Sequence, residues 1–416
     1  MLCYNSMVTF LEFDDLNHYD FIIVGGGPTG CRAAVELARA GHQVAVLEKN
    51  LTVGQPVCCT GIISRECMHH FSIPSELVLH NFCSASVYTP RDTVLHVERK
   101  EIQAAAIDRG AFNAYMARQA QDSGVDYLLG QRVSEIHINP DSVYICSIRN
   151  GTAEYFNARA VILACGFASR VPYELGFGKS RSWTVGAQVE VESRDLKEVE
   201  VYLGRALSPN YFAWFVPLEG NRALAGLMAD KQAHEHLSSF ISLLQRRGRI
   251  EALIGRPSYR GITLRGPERI SAARVLLVGD AAGHVKPLTG GGLYFGLLCA
   301  DIAASMLHQA IGKDVFSARN MRSYDKMCRE LLGKELCLGW QGHRLYGRLS
   351  DERVEQMACW AQRNNLPAKL SDSAHIGFDW HGRAILHLMK EMSWPFKKLA
   401  HCDNSKNIPL EREVDG

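Results

Sequence analysis

The chain of 416 residues lacks a long hydrophobic run, a charge excess, a cysteine framework and a low-complexity linker. No apolar stretch approaches the ~20 residues that span a bilayer, which argues against a spanning segment. A formal net charge of +2 gives no reason to expect nucleic acid as a partner. The 13 cysteines are odd in number and scattered, without disulfide or metal-ligand spacing. Reduced thiols, no metal and a cytoplasmic location are therefore expected. Residues 1–18 carry Glu12, Asp14 and Asp15 where a signal peptide needs a basic start and an apolar core. They read as an N-terminal extension. Internal repeats are also absent.

Among the features present, Tyr19-Asp-Phe-Ile-Ile-Val-Gly-Gly-Gly-Pro-Thr-Gly30, closed by Val44-Ala-Val-Leu-Glu48, is the most informative. It reads strand, glycine turn, helix, strand, acidic residue, the order a bound dinucleotide requires. Gly25 permits the tight turn, Gly27 lets the backbone approach a pyrophosphate, and Gly30 lets the helix pack on the strand. The amides at the head of the helix, from Pro28 and Thr29 onward, face the phosphates. Glu48, 18 residues after Gly30, can accept from ribose hydroxyls, with Lys49 beside it.

Two later elements favour FAD over NAD. Gly279-Asp280 ends a second buried strand, where the carboxylate can meet a ribityl or pyrophosphate group. The run through Gly290, Gly291 and Gly292 opens a helix at Leu293, whose amides suit the pyrimidine edge of a flavin. Arg109, at the head of a helix after Asp108, can lie along an extended cofactor.

The fold class expected is α/β: a Rossmann-like FAD-binding domain, an inserted antiparallel-β substrate domain and a helical C-terminal region. The FAD-binding domain is assigned to 19–82, 99–182 and 260–312, and the substrate domain to 83–98 and 183–259. The helical region is 313–416, anchored by Tyr324, Leu331, Leu336 and Trp340. Within it, residues 385–398 combine apolar positions with Lys397-Lys398, a pattern compatible with a membrane-surface helix but more often a packed terminal one.

The chain resembles the geranylgeranyl reductase family of the flavoprotein superfamily typified by p-hydroxybenzoate hydroxylase. Four stretches across residues 19–345 carry the resemblance. They are the first glycine turn with Glu48, Pro56-Val-Cys-Cys-Thr-Gly-Ile62, Pro209-Asn-Tyr-Phe-Ala-Trp-Phe-Val-Pro217, and Gly279-Asp-Ala-Ala-Gly-His-Val-Lys-Pro-Leu-Thr-Gly-Gly-Gly-Leu-Tyr-Phe-Gly296. The second is similar to the family's Cys-Gly-x-Gly loop beside the flavin, with Cys59 replacing the glycine. The third is similar to a Tyr-x-Trp-x-Phe-Pro substrate pattern. Aligned on Trp214 and Pro217, Phe212 takes the tyrosine's place and Tyr211 falls one position early. In the fourth, His284 stands where Gln or Phe is usual.

The resemblance implies an FAD-dependent reductase that hydrogenates carbon–carbon double bonds of an isoprenoid chain on a prenyl lipid. Cys58 is the expected catalytic thiol over the flavin, with Cys59 packing at the cofactor. Tyr211 and His284 are further catalytic candidates. Tyr211, Phe212, Trp214, Phe215, Pro217 and Tyr294 are the candidate lining of an apolar substrate slot. With one dinucleotide fingerprint, the electron donor is either NAD(P)H docking transiently or a ferredoxin. A peripheral contact at the inner membrane face would suit a lipid substrate. An FAD monooxygenase or halogenase, an electron-transfer flavoprotein relative and a non-catalytic isoprenoid escort protein are the alternatives. Residues 51–62 hold no lysine for a halogenase, and the cysteines after residue 327 lack iron–sulfur spacing.

Overall fold

Strand β1 (Asn17–Val24) opens the described chain, and Phe21, Ile22, Ile23 and Val24 are buried on both faces. Burial of each such side chain is worth about 2 kcal/mol. A strand without a polar face belongs in the middle of a sheet. The computed structural model describes residues 17–54, 57–167, 169–372 and 377–382. Outside these fall most of the N-terminal extension, Pro56 at the start of the cysteine loop, and the 385–398 segment.

After β1 come α1 (Pro28–Arg39), β2 (Val44–Glu48), β3 (Ile62–Ser64), α2 (Arg65–His70), β4 (Val78–Phe82), β5 (Ser84–Tyr88) and β6 (Val94–Glu98). Next are β7 (Ala104–Ile107), α3 (Arg109–Asp122), β8 (Asp126–Leu129), β9 (Arg132–Ile138), β10 (Val143–Arg149), β11 (Thr152–Leu163) and α4 (Val171–Glu174). Strands β12 (Ser182–Glu192), β13 (Val199–Tyr202), β14 (Ala213–Pro217) and β15 (Arg222–Ala229) precede α5 (Ala233–Arg246) and β16 (Ala252–Arg265). The chain closes with β17 (Ser271–Ala272), β18 (Val275–Leu277), α6 (Leu293–Lys313), α7 (Ala318–Tyr346), α8 (Asp351–Arg363) and α9 (Leu366–Asp372).

Three sheets result. The first runs β17-β18-β11-β1-β2-β8, with β18, β11, β1, β2 and β8 all parallel, and β9 and β10 joined to it through β11. The second runs β16-β12-β15-β14-β13-β5-β6, and the third β3-β7-β4. The α/β class expected from the sequence is what forms. One detail differs: β13 pairs with β5 in parallel within an otherwise antiparallel second sheet. No hairpin joins these two strands, so nothing forces them antiparallel.

Helix α6 is long and apolar enough, by length and composition, to cross a membrane, although the sequence shows no unbroken apolar run of that length. Half of it is buried inside the protein. Its small residues Gly296, Ala300, Ala303 and Ala304 are buried, and the helix packs on α1 and α7. A side chain at Gly296 would meet Thr29 Oγ1 at 2.7 Å, so glycine sets the close approach of the two helix heads. Leu331, expected as an anchor of α7, is 39% exposed, whereas Tyr324 is fully buried.

Candidate cofactor and substrate site

Three neighbouring strands of the first sheet, β18, β11 and β1, end at one edge, and each runs into glycine. Val24 leads to Gly25, Leu163 to Gly166 three residues past its end, and Leu277 to Gly279. In open α/β sheets ligands bind at such carboxyl ends. A cavity of about 360 Å³ does open at the opposite edge, between Tyr19, Gln43 and Asp126. It meets the amino ends of β1 and β2 and none of the glycine turns at the carboxyl ends of the strands, so it is not the cofactor site.

The first turn is shaped by sterics. Gly25 has φ +107°, and a Cβ there would lie 2.5 Å from Ala164 O. A Cβ at Gly30 would strike the Gly25 carbonyl, as expected of a helix pressed on its strand. Gly26 was not singled out from the sequence. A Cβ there would overlap the Tyr127 hydroxyl and lie 2.7 Å from Tyr127 Cζ. Tyr127 donates to Gly26 O at 2.7 Å, and the Gly26 N–H donates to Glu48 Oε2 at 2.7 Å. Gly27 is the exception: a Cβ there meets nothing within 4 Å. It caps α1 with no side-chain acceptor, and Pro28 follows at the first helical position. Gly292 likewise caps α6 without a side chain. Two helix heads thus keep their amides free along one edge.

Unpartnered polar atoms continue along this edge. Arg109 Nε and Nη1, Asn113 Oδ1 and Thr289 Oγ1 are buried without a hydrogen bond. Such atoms are costly unless a ligand satisfies them. Asp280 Oδ1 lies 3.2 Å from where a Gly292 Cβ would sit. Arg260, unremarked in the sequence, extends to 3.7 Å from Asp280 Oδ2 and lies 3.5 Å from the Cβ direction of Gly166. The free amides, the open space at Gly27 and the unpaired Arg109 guanidinium fit an extended, anionic dinucleotide. Glu48 also accepts from Asn50 N, and Lys49 is exposed.

Cys58 and Cys59 are half-buried at this edge. Burial pushes the Cys58 thiol up, while a hydrogen bond with Ser258 and the nearby Arg260 pull it down. Thr60 Oγ1 meets Gln188 on β12 at 3.3 Å, so this loop bridges the first and second sheets.

An aromatic and aliphatic cluster stands beside the second glycine turn. Tyr211, Met228 and Leu264 form its buried centre, with Phe212, Trp214, Ile262 and Trp340 packed on them. A Cβ at Gly290 would lie 2.9 Å from Met228 Sδ and 3.4 Å from Ile262 Cδ1, so turn and cluster touch. Tyr211 and Phe212 precede β14, so strand alternation does not separate them. Phe215, on the strand, points instead into the core of the second sheet with Phe240 of α5. It does not belong to the cluster. Pro217 is buried at the strand end, paired with Ala223.

Of the remaining candidates, Tyr211 has its hydroxyl engaged, and Tyr294 and His284 lie away from the cluster. The Tyr211 hydroxyl is committed to Asp230 Oδ1 at 2.5 Å, and its ring stacks on His343. Burial, then the Asp230 bond, pushes its pKa up. Tyr294 lies in the core of the first sheet, donating to Glu66 at 2.7 Å, away from the cluster. His284 is 3% exposed, its Nδ1 accepting from Gly279 N–H at 3.3 Å. Its ring groups with Cys299 and Cys328. Its other ring nitrogen, Nε2, is buried without a hydrogen-bond partner. The Cys299 thiol beside it, and then His284, pull the Cys328 thiol down against the opposing effect of burial. His284 therefore faces thiols inside the core instead of the cleft.

Fold and cradle together define a flavoprotein oxidoreductase that binds FAD. A profile of the family described as lycopene cyclase protein matches residues 20–339, and the chain belongs to that family. Digeranylgeranylglycerophospholipid reductase 1 of Methanococcoides burtonii is 26% identical over 362 residues, covering 82% of this chain and 87% of its own. A geranylgeranyl bacteriochlorophyll reductase-like protein from Thermoplasma acidophilum superposes with TM-score 0.81 at 21% identity, over 90% of this chain and 96% of that one. A flavin-dependent brominase superposes with TM-score 0.67 at 14% identity, over 91% and 99%. The resemblance to geranylgeranyl reductases read from the four motifs is thus shared by relatives that bear such names.

Proposed function

We propose that this protein reduces carbon–carbon double bonds of an isoprenoid chain. The observation that carries the reading is the contact between the Gly290 turn and the Met228–Ile262–Trp214–Trp340 cluster. An apolar wall thereby adjoins the cradle where the flavin's pyrimidine edge would lie. The cradle consists of the residues named from the sequence: Gly25, Gly27, Pro28, Thr29, Gly30, Glu48, Arg109, Gly279, Asp280 and Gly290 to Leu293.

When bound and reduced, FAD supplies the hydride. Everything else falls to the chain. An isolated alkene offers no carbonyl to polarise, so the protein must hold it in place and exclude water. The apolar cluster does both. In this reading the Cys58 thiol, whose pKa burial raises, delivers a proton to the second alkene carbon. The uncapped head of α6 would favour negative charge on a reduced flavin bound beside it.

In this reading the segments 19–82, 99–182 and 260–312 bind the cofactor, and 83–98 with 183–259 cover the substrate. NAD(P)H or a ferredoxin delivers the electrons, and contact with a membrane surface gives access to a lipid. The test is anaerobic incubation of dithionite-reduced enzyme with geranylgeranyl lipids, followed by mass spectrometry. Reduction adds two hydrogens per bond. Ring closure, as a cyclase would perform, leaves the mass unchanged, and a hydroxylated product would indicate a monooxygenase.

A further inference from the structure

We propose that residues 377–382 form a strap that clamps the second glycine turn, and that Asp379, acting through Lys286, positions this turn for FAD. The role concerns the cofactor and holds whatever the substrate. Lys286 is built into the turn. Its backbone N–H donates to Gly291 O at 2.9 Å, and its carbonyl accepts from Gly290 N–H at 2.9 Å. A Cβ at Gly291 would lie 2.8 Å from Lys286 Cε, so the lysine stem is pressed against the turn. The ammonium at its end meets Asp379 Oδ1 at 2.7 Å, with the two side chains 8% and 4% exposed. It also lies 5.1 Å over the Phe378 ring. Neighbouring elements hold the strap in place. Trp380 donates from Nε1 to Glu66 of α2 at 3.1 Å, and its ring packs on Phe295 in the first turn of α6, centroids 5.4 Å apart. The same Glu66 accepts from Tyr294 of α6. Gly382 N–H donates to both carboxylate oxygens of Glu335 on α7, at 2.8 and 2.9 Å.

A strap that only covered apolar surface would do as well with apolar side chains, since a buried ion pair adds little net stability. What the pair supplies is register. A buried ammonium without its counter-ion is costly, so Lys286 stays beneath Gly291 only while Asp379 is docked. The second carboxylate oxygen, Oδ2, is buried without a hydrogen-bond partner, so the strap bears a desolvation cost to make this contact. The turn that Lys286 steadies leads into the uncapped head of α6. Amides there favour an anionic cofactor edge only if they are fixed before it binds. The family profile ends at residue 339, so this support lies beyond the stretch that assigns the chain.

FAD titration of the apoprotein by fluorescence quenching compares wild type, Asp379→Asn and Phe240→Leu, the last a change in the core of the second sheet. Asp379→Asn should bind FAD on the order of 10–100-fold more weakly, the loss expected when a site is no longer preorganised. Phe240→Leu should bind it like the wild type. Coupling is reciprocal, so FAD should in turn hold the strap down. Chymotrypsin cutting after Phe378 and Trp380 of the wild type, followed by mass spectrometry, reads this without any variant. Cutting after the exposed Tyr173 of α4 is the internal reference. FAD should slow strap cleavage about 10-fold relative to that reference. Wild-type FAD affinity in folded Asp379→Asn, or a loss no greater than that of Phe240→Leu, overturns the positioning role. Strap cleavage that ignores FAD, or is slowed no more than cleavage at Tyr173, overturns it as well. Should Asp379→Asn fail to fold, the wild-type cleavage ratio decides alone.

Discussion

Two identical substitutions one residue apart should have opposite signatures. In Gly26→Ala the new methyl overlaps the Tyr127 hydroxyl, 2.7 Å from its Cζ and 3.0 Å from Glu48 Cβ. Tyr127 is held by its bond to Gly26 O and cannot swing away without losing it. Overpacking costs about 1–3 kcal/mol, and a broken buried hydrogen bond adds about 1 kcal/mol. The apoprotein should therefore lose roughly 2–4 kcal/mol of stability. In Gly27→Ala the methyl meets no protein atom within 4 Å, at an ordinary φ of −72°. The lower chain entropy of alanine and its poorer capping offset one another within about 0.5 kcal/mol. Apoprotein stability should hardly change. The space filled is that of the phosphates, so FAD affinity should fall on the order of 100-fold. Urea unfolding of the apoprotein and FAD titration by fluorescence quenching read the two quantities separately. A Gly27→Ala variant that binds FAD like the wild type would refute the placement of the cofactor at this turn.

Other outcomes follow from the same geometry. Cys58→Ala should lower turnover about 10–100-fold with flavin content intact, the range of a lost general acid; unchanged turnover would assign the thiol to packing. Burial, then Lys286, depresses His381 to about 4 against an ordinary value near 6.5. The unfolded chain thus takes up this proton first, and stability falls as pH drops from about 6.5 to 4, by a few kcal/mol. Urea midpoints of wild type and His381→Gln across that window check it, because the variant should show a flatter profile. Tyr211→Phe should cost about 1 kcal/mol of stability by removing the hydroxyl's hydrogen bond to Asp230, and a cost near zero would mean water replaces the hydroxyl.

The first cradle was legible because its signals are local. Strand, glycine and helix follow one another within residues 19–30, and short-range sterics fix what each glycine does. The role of Gly26 was not legible, because Tyr127 arrives from β8, about a hundred positions later. Arg260 escaped notice for a similar reason: nothing in β16 says that its side chain crosses to Asp280. Phe215 and Trp214 alternate along β14 and lie on opposite faces, whereas Tyr211 and Phe212 lie before the strand begins and can share one cluster. The glycine turn at residues 290–292 was readable, yet its neighbours Tyr294 and His284 were assigned to the wrong side. A helix head presents its backbone to one side and its buried side chains to the other, and sequence does not say which residue faces which. Trp340 was read as a core anchor, and its position against the cluster depends on the packing of α7 on the second sheet.

The most direct measurement is an anaerobic single turnover in D2O, following flavin absorbance and product mass together. The account predicts one flavin oxidised per double bond lost, with two deuterium atoms in the product. A product formed while the flavin stays reduced, or one carrying oxygen after air is admitted, would contradict it.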